Sequence, residues 1–174
     1  MAIRGKRIYL RELQPDDASE EYVEWMKDHE VTKYITARNL NFEDVKAYIT
    51  EKKNARDCLF FGIFDNETNM HLGNIKLEPI DGKKATIGLL IGNKNYWGKG
   101  IGQEAMSLAL DYAFAMLGIC ELNLGVASEH LTAIRLYEKL GFRIEKINKG
   151  GCQFGGRSHD QLIMVKTRDE SHDA

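Results

Sequence analysis

The chain is poor in cysteine, in long apolar runs and in blocks of like charge, and each shortage removes a class of function. Cys58, Cys120 and Cys152 are its three cysteines. They are widely spaced, odd in number and without a Cys-x-x-Cys or His-x-x-x-His pairing, which argues against a disulfide framework and reads all three as small buried or half-buried residues. No metal is expected. No apolar run approaches the ~20 residues that span a bilayer, and no charged-then-apolar leader opens the chain, so a cytoplasmic protein without a membrane partner is expected. Basic and acidic residues nearly balance, at a net charge of −2, and without a basic block nothing points to nucleic acid. Repeats and linkers are also lacking. What remains, with 174 residues of which 43% are hydrophobic and 29% charged, is one ordinary domain able to bury a core.

Glycine, by contrast, is concentrated where it has chemical meaning. In Asn95-Tyr96-Trp97-Gly98-Lys99-Gly100-Ile101-Gly102-Gln103-Glu104-Ala105 three glycines stand at alternate positions. Residues 85–91 before them read as a buried strand, and residues 103–117 after them as a helix. A strand, a glycine loop and a helix N-terminus together make a phosphate seat, because glycine lets backbone N–H groups approach an anion and the helix dipole adds about half a positive charge. A P-loop is excluded, since Lys99 is followed by Gly100 and not by a hydroxyl residue. A dinucleotide fingerprint fails because its third glycine is replaced by Gln103, and Glu121 stands at the start of its strand.

Along the chain, residues 7–11 alternate as a half-buried first strand. Pro15, Asp16 and Asp17 lead into a helix whose apolar side is Tyr22, Val23, Trp25 and Met26, and Asn41 opens a second helix reaching about Lys53. Strands at 59–65, 72–79 and 85–91 form an antiparallel meander with turns at 66–69 and 81–82. After the loop and its helix come a strand at 119–126, a helix at 130–140 stopped by Gly141, and a final antiparallel pair at 142–146 and 162–166. The Gly150-Gly151 and Gly155-Gly156 doublets predict a flexible connection inside that pair. The expected fold is a single α/β (α+β) domain over residues 1–166, a mixed but mostly antiparallel central sheet flanked by helices, in the order β-α-α-β-β-β-α-β-α-β-β. Residues 167–174 are expected to be a frayed tail.

The loop resembles that of the GNAT superfamily of N-acetyltransferases, Gln/Arg-x-x-Gly-x-Gly/Ala, with Gly100 and Gly102 matching the glycines and Trp97 standing where Gln or Arg is usual. A second block strengthens the resemblance. Glu129-His130-Leu131-Thr132-Ala133-Ile134-Arg135-Leu136-Tyr137-Glu138-Lys139-Leu140-Gly141-Phe142 resembles the family's Asn-x-x-Ala/Ser-x-x-x-Tyr-x-x-x-Gly-Phe. The Trp-Gly-Lys-Gly form is similar to the branch of ribosomal-protein alanine acetyltransferases (Rim-type) and their small-molecule relatives. Resemblance covers about residues 6–166.

It implies transfer of acetyl from acetyl-coenzyme A, as cosubstrate, to a primary amine by direct attack. The backbone of Gly98, Lys99, Gly100, Ile101 and Gly102, with Trp97 beside it, would take the pyrophosphate. The main chain of Leu89, Leu90 and Ile91, where the family's strand splays from its neighbour, would bind the pantetheine arm and polarise the acetyl oxygen. Tyr137 matches the tyrosine whose hydroxyl protonates the departing thiolate. His130 stands where Asn usually bonds the coenzyme arm, and either that role or a proton-accepting one is open to it. Thr86 replaces the glutamate many relatives use as base, which leaves Glu78 as a substitute unless the amine needs no strong base.

The acceptor site implied by the family lies between the first helices and the last hairpin, with Trp25, Tyr34, Arg38, Phe154 and Asp160 as candidates to line it. The acceptor is a small-molecule or peptide amine: an amino-sugar nucleotide, slightly favoured because residues 22–28 and 31–34 resemble surface-polysaccharide relatives, a protein N-terminus or a polyamine. Monomer and homodimer both remain open. The departures at Thr86, Trp97 and His130 leave a non-catalytic acyl-coenzyme A sensor as the rival reading. An ATP-binding domain is a third.

Overall fold

A computed structural model describes residues 1–36 and 39–169 of the chain. Eight strands form one sheet: β1 (Ala2–Arg4), β2 (Ile8–Glu12), β3 (Leu59–Asp65), β4 (His71–Asp81), β5 (Lys84–Ile91), β6 (Glu121–Ala127), β7 (Arg143–Phe154) and β8 (Arg157–Thr167). Four α-helices flank it: α1 (Glu20–Lys27), α2 (Phe42–Asn54), α3 (Ile101–Met116) and α4 (Leu131–Lys139). Strand order is β1-β2-β3-β4-β5-β6-β8-β7. Every neighbouring pair is antiparallel except β5 with β6.

Alternation along the strands builds two cores, one on each face of the sheet. Ile8 and Leu10 of β2, and Phe61 and Ile63 of β3, bury with Ala105, Met106, Ala109 and Ala113 of α3 and Tyr137 of α4. Phe60 and Phe64 turn to the opposite face and bury with Tyr22, Trp25 and Met26 of α1 and Val45 and Ile49 of α2. The period of two along each strand sends successive side chains to opposite layers. Small residues on α3 let that helix lie close to the sheet.

The predicted order is present, with three differences. β1 is a three-residue strand on the sheet edge, paired to β2 from Ala2–Arg11 to Arg4–Tyr9, too short to show a pattern of its own. The final pair is one long hairpin, with the turn at Gly155 (φ +59°) and Gly156 (φ +72°). Gly150 and Gly151 lie at a register shift between Asn148 and Cys152, so that doublet makes a bulge within β7. At the C-terminal end the Arg168 amide donates to the Cys120 carbonyl at 2.9 Å, so pairing continues past Thr167. The rest of the predicted tail, 170–174, lies outside the described residues.

Candidate active site: a split sheet beside an uncapped helix

The parallel contact between β5 and β6 is short. It runs Lys84–Glu121, Ala85–Leu122 and Thr86–Asn123 and then stops. On their other sides both strands stay paired along their length, β5 with β4 as far as Ile91–Gly73 and β6 with β8 as far as Ala127–Gln161. The sheet therefore opens beyond Thr86, and the β6-facing edge of residues 87–91 has no strand beside it among the described residues. Thr86 Oγ1 donates to Asn123 Oδ1 at 2.8 Å, fastening the last rung where the strands part. That gives the residue standing in the glutamate's place a structural task.

Leu89 and Ile91 face the core shared with α3 and α4, while Leu90 packs on the opposite layer. α3 starts directly beside this opening. A Cβ at Gly102 would come within 3.2 Å of Leu89 Cδ2 and 3.6 Å of Leu136 Cδ2, so the second residue of the helix must be small for it to approach the strand.

The beginning of α3 differs from that of the other three α-helices. Ser19 caps α1 by accepting from the Tyr22 amide, Asn41 caps α2 by accepting from the Asp44 amide, and His130 Nδ1 accepts from the Ala133 amide in α4. α3 begins at Gly100, in the left-handed region at φ +77°, with no side-chain cap. The first N–H groups of a helix have no acceptor within it, so here they remain available at the positive end of the dipole. Gly98 is also left-handed, at φ +70°, and a Cβ there would meet nothing within 4 Å. Backbone conformation, and no filled space, is what asks for glycine at that position.

Two residues pin the loop. Trp97, still partly exposed, donates its indole N–H to the Ile91 carbonyl at 2.9 Å, joining the loop to the end of β5. Arg7, in the β1–β2 turn, donates from Nη1 to the Lys99 carbonyl at 2.6 Å and from Nε to Glu104 Oε2 at 2.8 Å. Its own backbone amide donates to Glu104 Oε1 at 2.7 Å. Burial alone would raise the Glu104 carboxyl, but these bonds from Arg7 hold it below its ordinary value.

Tyr137 sits on α4 with its ring in the core, 5.9 Å from the ring of Phe142. Burial pushes its phenol up to about 12. The hydroxyl donates to no described residue, yet it is not among the sealed, unpaired polar atoms. The His130 ring carries its proton on Nε2, because Nδ1 accepts from Ala133 at 3.4 Å. Burial, with Lys33 adding to it, holds this imidazole below its ordinary value.

Tyr34 stacks on His130 with centroids 4.2 Å apart and meets the edge of Phe154 at 5.0 Å. Phe154 in turn stacks on His159 at 3.5 Å. His159 Nδ1 is 2.8 Å from Glu129 Oε1 and Nε2 is 3.0 Å from the Phe154 carbonyl. The α1–α2 connection, the α4 N-terminus and the β7–β8 hairpin thus meet through a run of rings.

The remaining sequence candidates fall elsewhere or have other partners. Trp25 is buried against Tyr22 and His71, and a Cβ on Gly92 would strike its ring at 2.0 Å. The Asp160 carboxylate takes the Gly150 amide at 3.0 Å and Lys149 at 3.2 Å, tying down the β7 bulge. Glu78 follows Leu77, the partner of Ile87, on the far side of β5 from the opening, and is held between Lys52 at 2.7 Å and Lys76 at 3.0 Å. Burial acts to raise its carboxyl, but the two ammonium groups hold it below its ordinary value. Arg38 lies outside the described residues. Sequence reasoning missed Arg7, Glu104, Glu129, His159 and Asn123. The Arg7–Glu104 contact joins positions 97 apart, and no local pattern announces such a pair.

The model of the acetyltransferase (GNAT) domain matches residues 7–143. The chain belongs to the GNAT acetyltransferase family. A probable N-acetyltransferase of Bacillus subtilis, YjcK, is 30% identical over 185 residues, covering 97% of this chain and 99% of its own. Among solved structures, a Vibrio cholerae spermidine N-acetyltransferase in complex with CoA and spermine superposes with a TM-score of 0.85 at 22% identity, over 94% of this chain and 96% of that one. A Vibrio fischeri ribosomal-protein-S5-alanine acetyltransferase does so at 0.86 and 16% identity, over 98% of each chain. These two likenesses establish the shared fold, and the family match with the full-length relative makes this GNAT protein an acetyltransferase. No described helix is long and apolar enough to cross a membrane.

Proposed function

We propose that this GNAT protein moves acetyl from acetyl-coenzyme A to a primary amine by direct attack. The reading is carried by the helix that begins without a side-chain cap beside the open edge of a split sheet. The residues present fit such a cosubstrate: left-handed glycines at 98 and 100 leave the loop without side-chain obstruction, and the uncapped turn offers N–H donors to a diphosphate. When bound, the thioester supplies an activated acetyl group and a thiolate leaving group.

The chain's own residues do the rest. Main-chain amides along 89–91 would hold the arm and stabilise the charge that develops on the acetyl oxygen, as prealigned donors do most effectively. His130, with its proton on Nε2, would donate to the coenzyme arm. The same assignment leaves neither ring nitrogen free to accept, which favours the donor role over a base.

Tyr137 would offer its hydroxyl to the departing sulfur. A phenol near 12 looks mismatched to a thiol of ordinary pKa about 8.5. Burial raises thiols too, as Cys58, pushed to about 11 in this same molecule, illustrates, so the gap narrows wherever both groups are dry. Glu78, held by two lysines, is a weak base, and we assign the amine's proton to water at the mouth of the opening.

For the acceptor we favour a cationic alkylamine of polyamine type. Aromatic faces at Tyr34 and Phe154, with the Glu129 carboxylate reaching them through His159, suit an ammonium chain. A spermidine N-acetyltransferase of the same fold adds support. An amino-sugar nucleotide and a protein N-terminus are the alternatives to a polyamine.

The test is thiol release from acetyl-coenzyme A with polyamines, amino-sugar nucleotides and peptides with free N-termini. Release with polyamines ahead of the others is expected. Release with another class overturns the acceptor, and coenzyme binding with no release under any amine supports the sensor reading instead.

A further inference from the structure

We propose that Arg7 is a positioning residue of the diphosphate seat, acting through the Lys99–Gly100 peptide and through Glu104; this rests on the reading of the loop as a coenzyme A seat. The peptide between Lys99 and Gly100 is trans, the cis bond of the described chain being Glu78–Pro79. In a trans peptide the carbonyl and the N–H point in opposite directions. Arg7 Nη1 holds the Lys99 carbonyl at 2.6 Å, so the Gly100 N–H is aimed away from the guanidinium.

Among the described residues no other hydrogen bond holds that peptide. Its rotation turns ψ of Lys99 and φ of Gly100, and a left-handed glycine on one flank lowers the cost of that rotation. A rotated peptide would present a carbonyl oxygen to the ligand and repel a phosphate. The guanidinium also fills the space under Gly100, where Arg7 Nη2 would stand 3.3 Å from a Cβ.

Glu104 makes a second reason. It places a carboxylate in the first turn of α3, at the end of the helix that would receive an anion, where a free negative charge would compete with it. Arg7 binds that carboxylate through both its backbone amide and Nε, at 2.7 and 2.8 Å. The arginine's charge is thereby matched locally, so its service to the diphosphate lies in orienting a donor and masking an opposing charge.

The experiment is calorimetric titration of the full chain with coenzyme A, alongside turnover of acetyl-coenzyme A and of S-acetylpantetheine, which has the thioester arm but no diphosphate. Arg7→Met is expected to weaken coenzyme A binding about 10- to 100-fold, the range for losing a charge-assisted bond and unmasking a like charge. Its KM for S-acetylpantetheine and for the amine should stay within about twofold of wild type. Arg7→Lys, which keeps the charge and the fold but loses the fork, should fall between. Adding Glu104→Gln to Arg7→Met should recover part of the loss, because the unmasked charge is gone while the peptide stays unpinned. Equal loss on both thioesters would mean that Arg7 merely braces the β1–β2 turn, and would overturn the proposal. Wild type binding coenzyme A with Arg7→Met unaffected overturns the Arg7 assignment alone; wild type that binds none overturns the seat as well.

Discussion

The side of the opening proposed for the coenzyme is made of main chain, and the side proposed for the acceptor is made of rings. On the first side, the edge of residues 87–91, the left-handed glycines and the uncapped start of α3 present backbone N–H groups. Side chains there serve as braces: Arg7 on Lys99 and Glu104, Trp97 on Ile91. On the second side, Tyr34, His130, Phe154 and His159 touch one another across three separate elements. Backbone recognition suits a ligand that never changes. A stack of rings on connecting segments can be altered one side chain at a time without disturbing the sheet, which suits an acceptor that differs between relatives.

The comparison should break most sharply at Tyr137, the residue proposed to serve the chemistry of both sides. Tyr137→Phe should lower kcat about 100-fold while leaving coenzyme A affinity within twofold, measured by thiol release and calorimetry. Because burial raises that phenol to about 12, it stays protonated through ordinary alkaline buffers. The turnover profile of the wild type should therefore show no fall from Tyr137 ionisation up to about pH 10.

Gly100→Val should act on the coenzyme side alone. It combines a φ of +77° with a side chain growing toward the Arg7 guanidinium, and strain of about 1–3 kcal/mol in the seat should raise the coenzyme A Kd about 10-fold or more. The amine KM should not follow. Phe154→Ala is the converse: it removes a ring stacked on His159 and edge-on to Tyr34, and should raise the amine KM about 5- to 10-fold with coenzyme affinity intact.

The smallest effect is expected from Glu78→Gln, which touches neither side. Its carboxyl is held low in the fold by Lys52 and Lys76, so the stability it contributes is present above the unfolded value of about 4.5 and disappears as pH falls through the lower folded one. The variant should lose at most about 1 kcal/mol at pH 7, since solvent screens the cluster, and nothing at low pH, read by denaturant melts. Turnover should be unchanged. A large fall in kcat would return Glu78 to the role of base.

The same contrast decides how much was legible in the sequence. Glycine at 98, 100 and 102 was legible as a proposed anion seat, because main-chain recognition would leave its trace in the residues that permit close approach. Alternation and capping signals, with Asn41 and Gly141 among them, placed the elements other than β1 and the long β7–β8 hairpin within a few residues. Trp97 and Thr86 looked like departures and turned out to have structural partners, Ile91 and Asn123. Gly150-Gly151 shows the ambiguity of a glycine doublet, which serves a bulge as readily as a loop. The acceptor side was the least legible. Tyr34 and Phe154, named on family grounds as candidates to line the acceptor site, touch each other, but the Glu129–His159 contact spans 30 positions, and nothing local predicts it. Asp160 and Trp25 are the residue types an acceptor site uses, yet one ties down a bulge and the other fills a core.

The most direct test of the central claim is amide hydrogen exchange of the full chain with and without coenzyme A. If the seat is main chain, the ligand should slow exchange at residues 87–91 and 98–104, with little change along β7 and β8 away from the ring stack. Protection confined to other segments, or coenzyme A binding that leaves 98–104 exchanging as before, would contradict it.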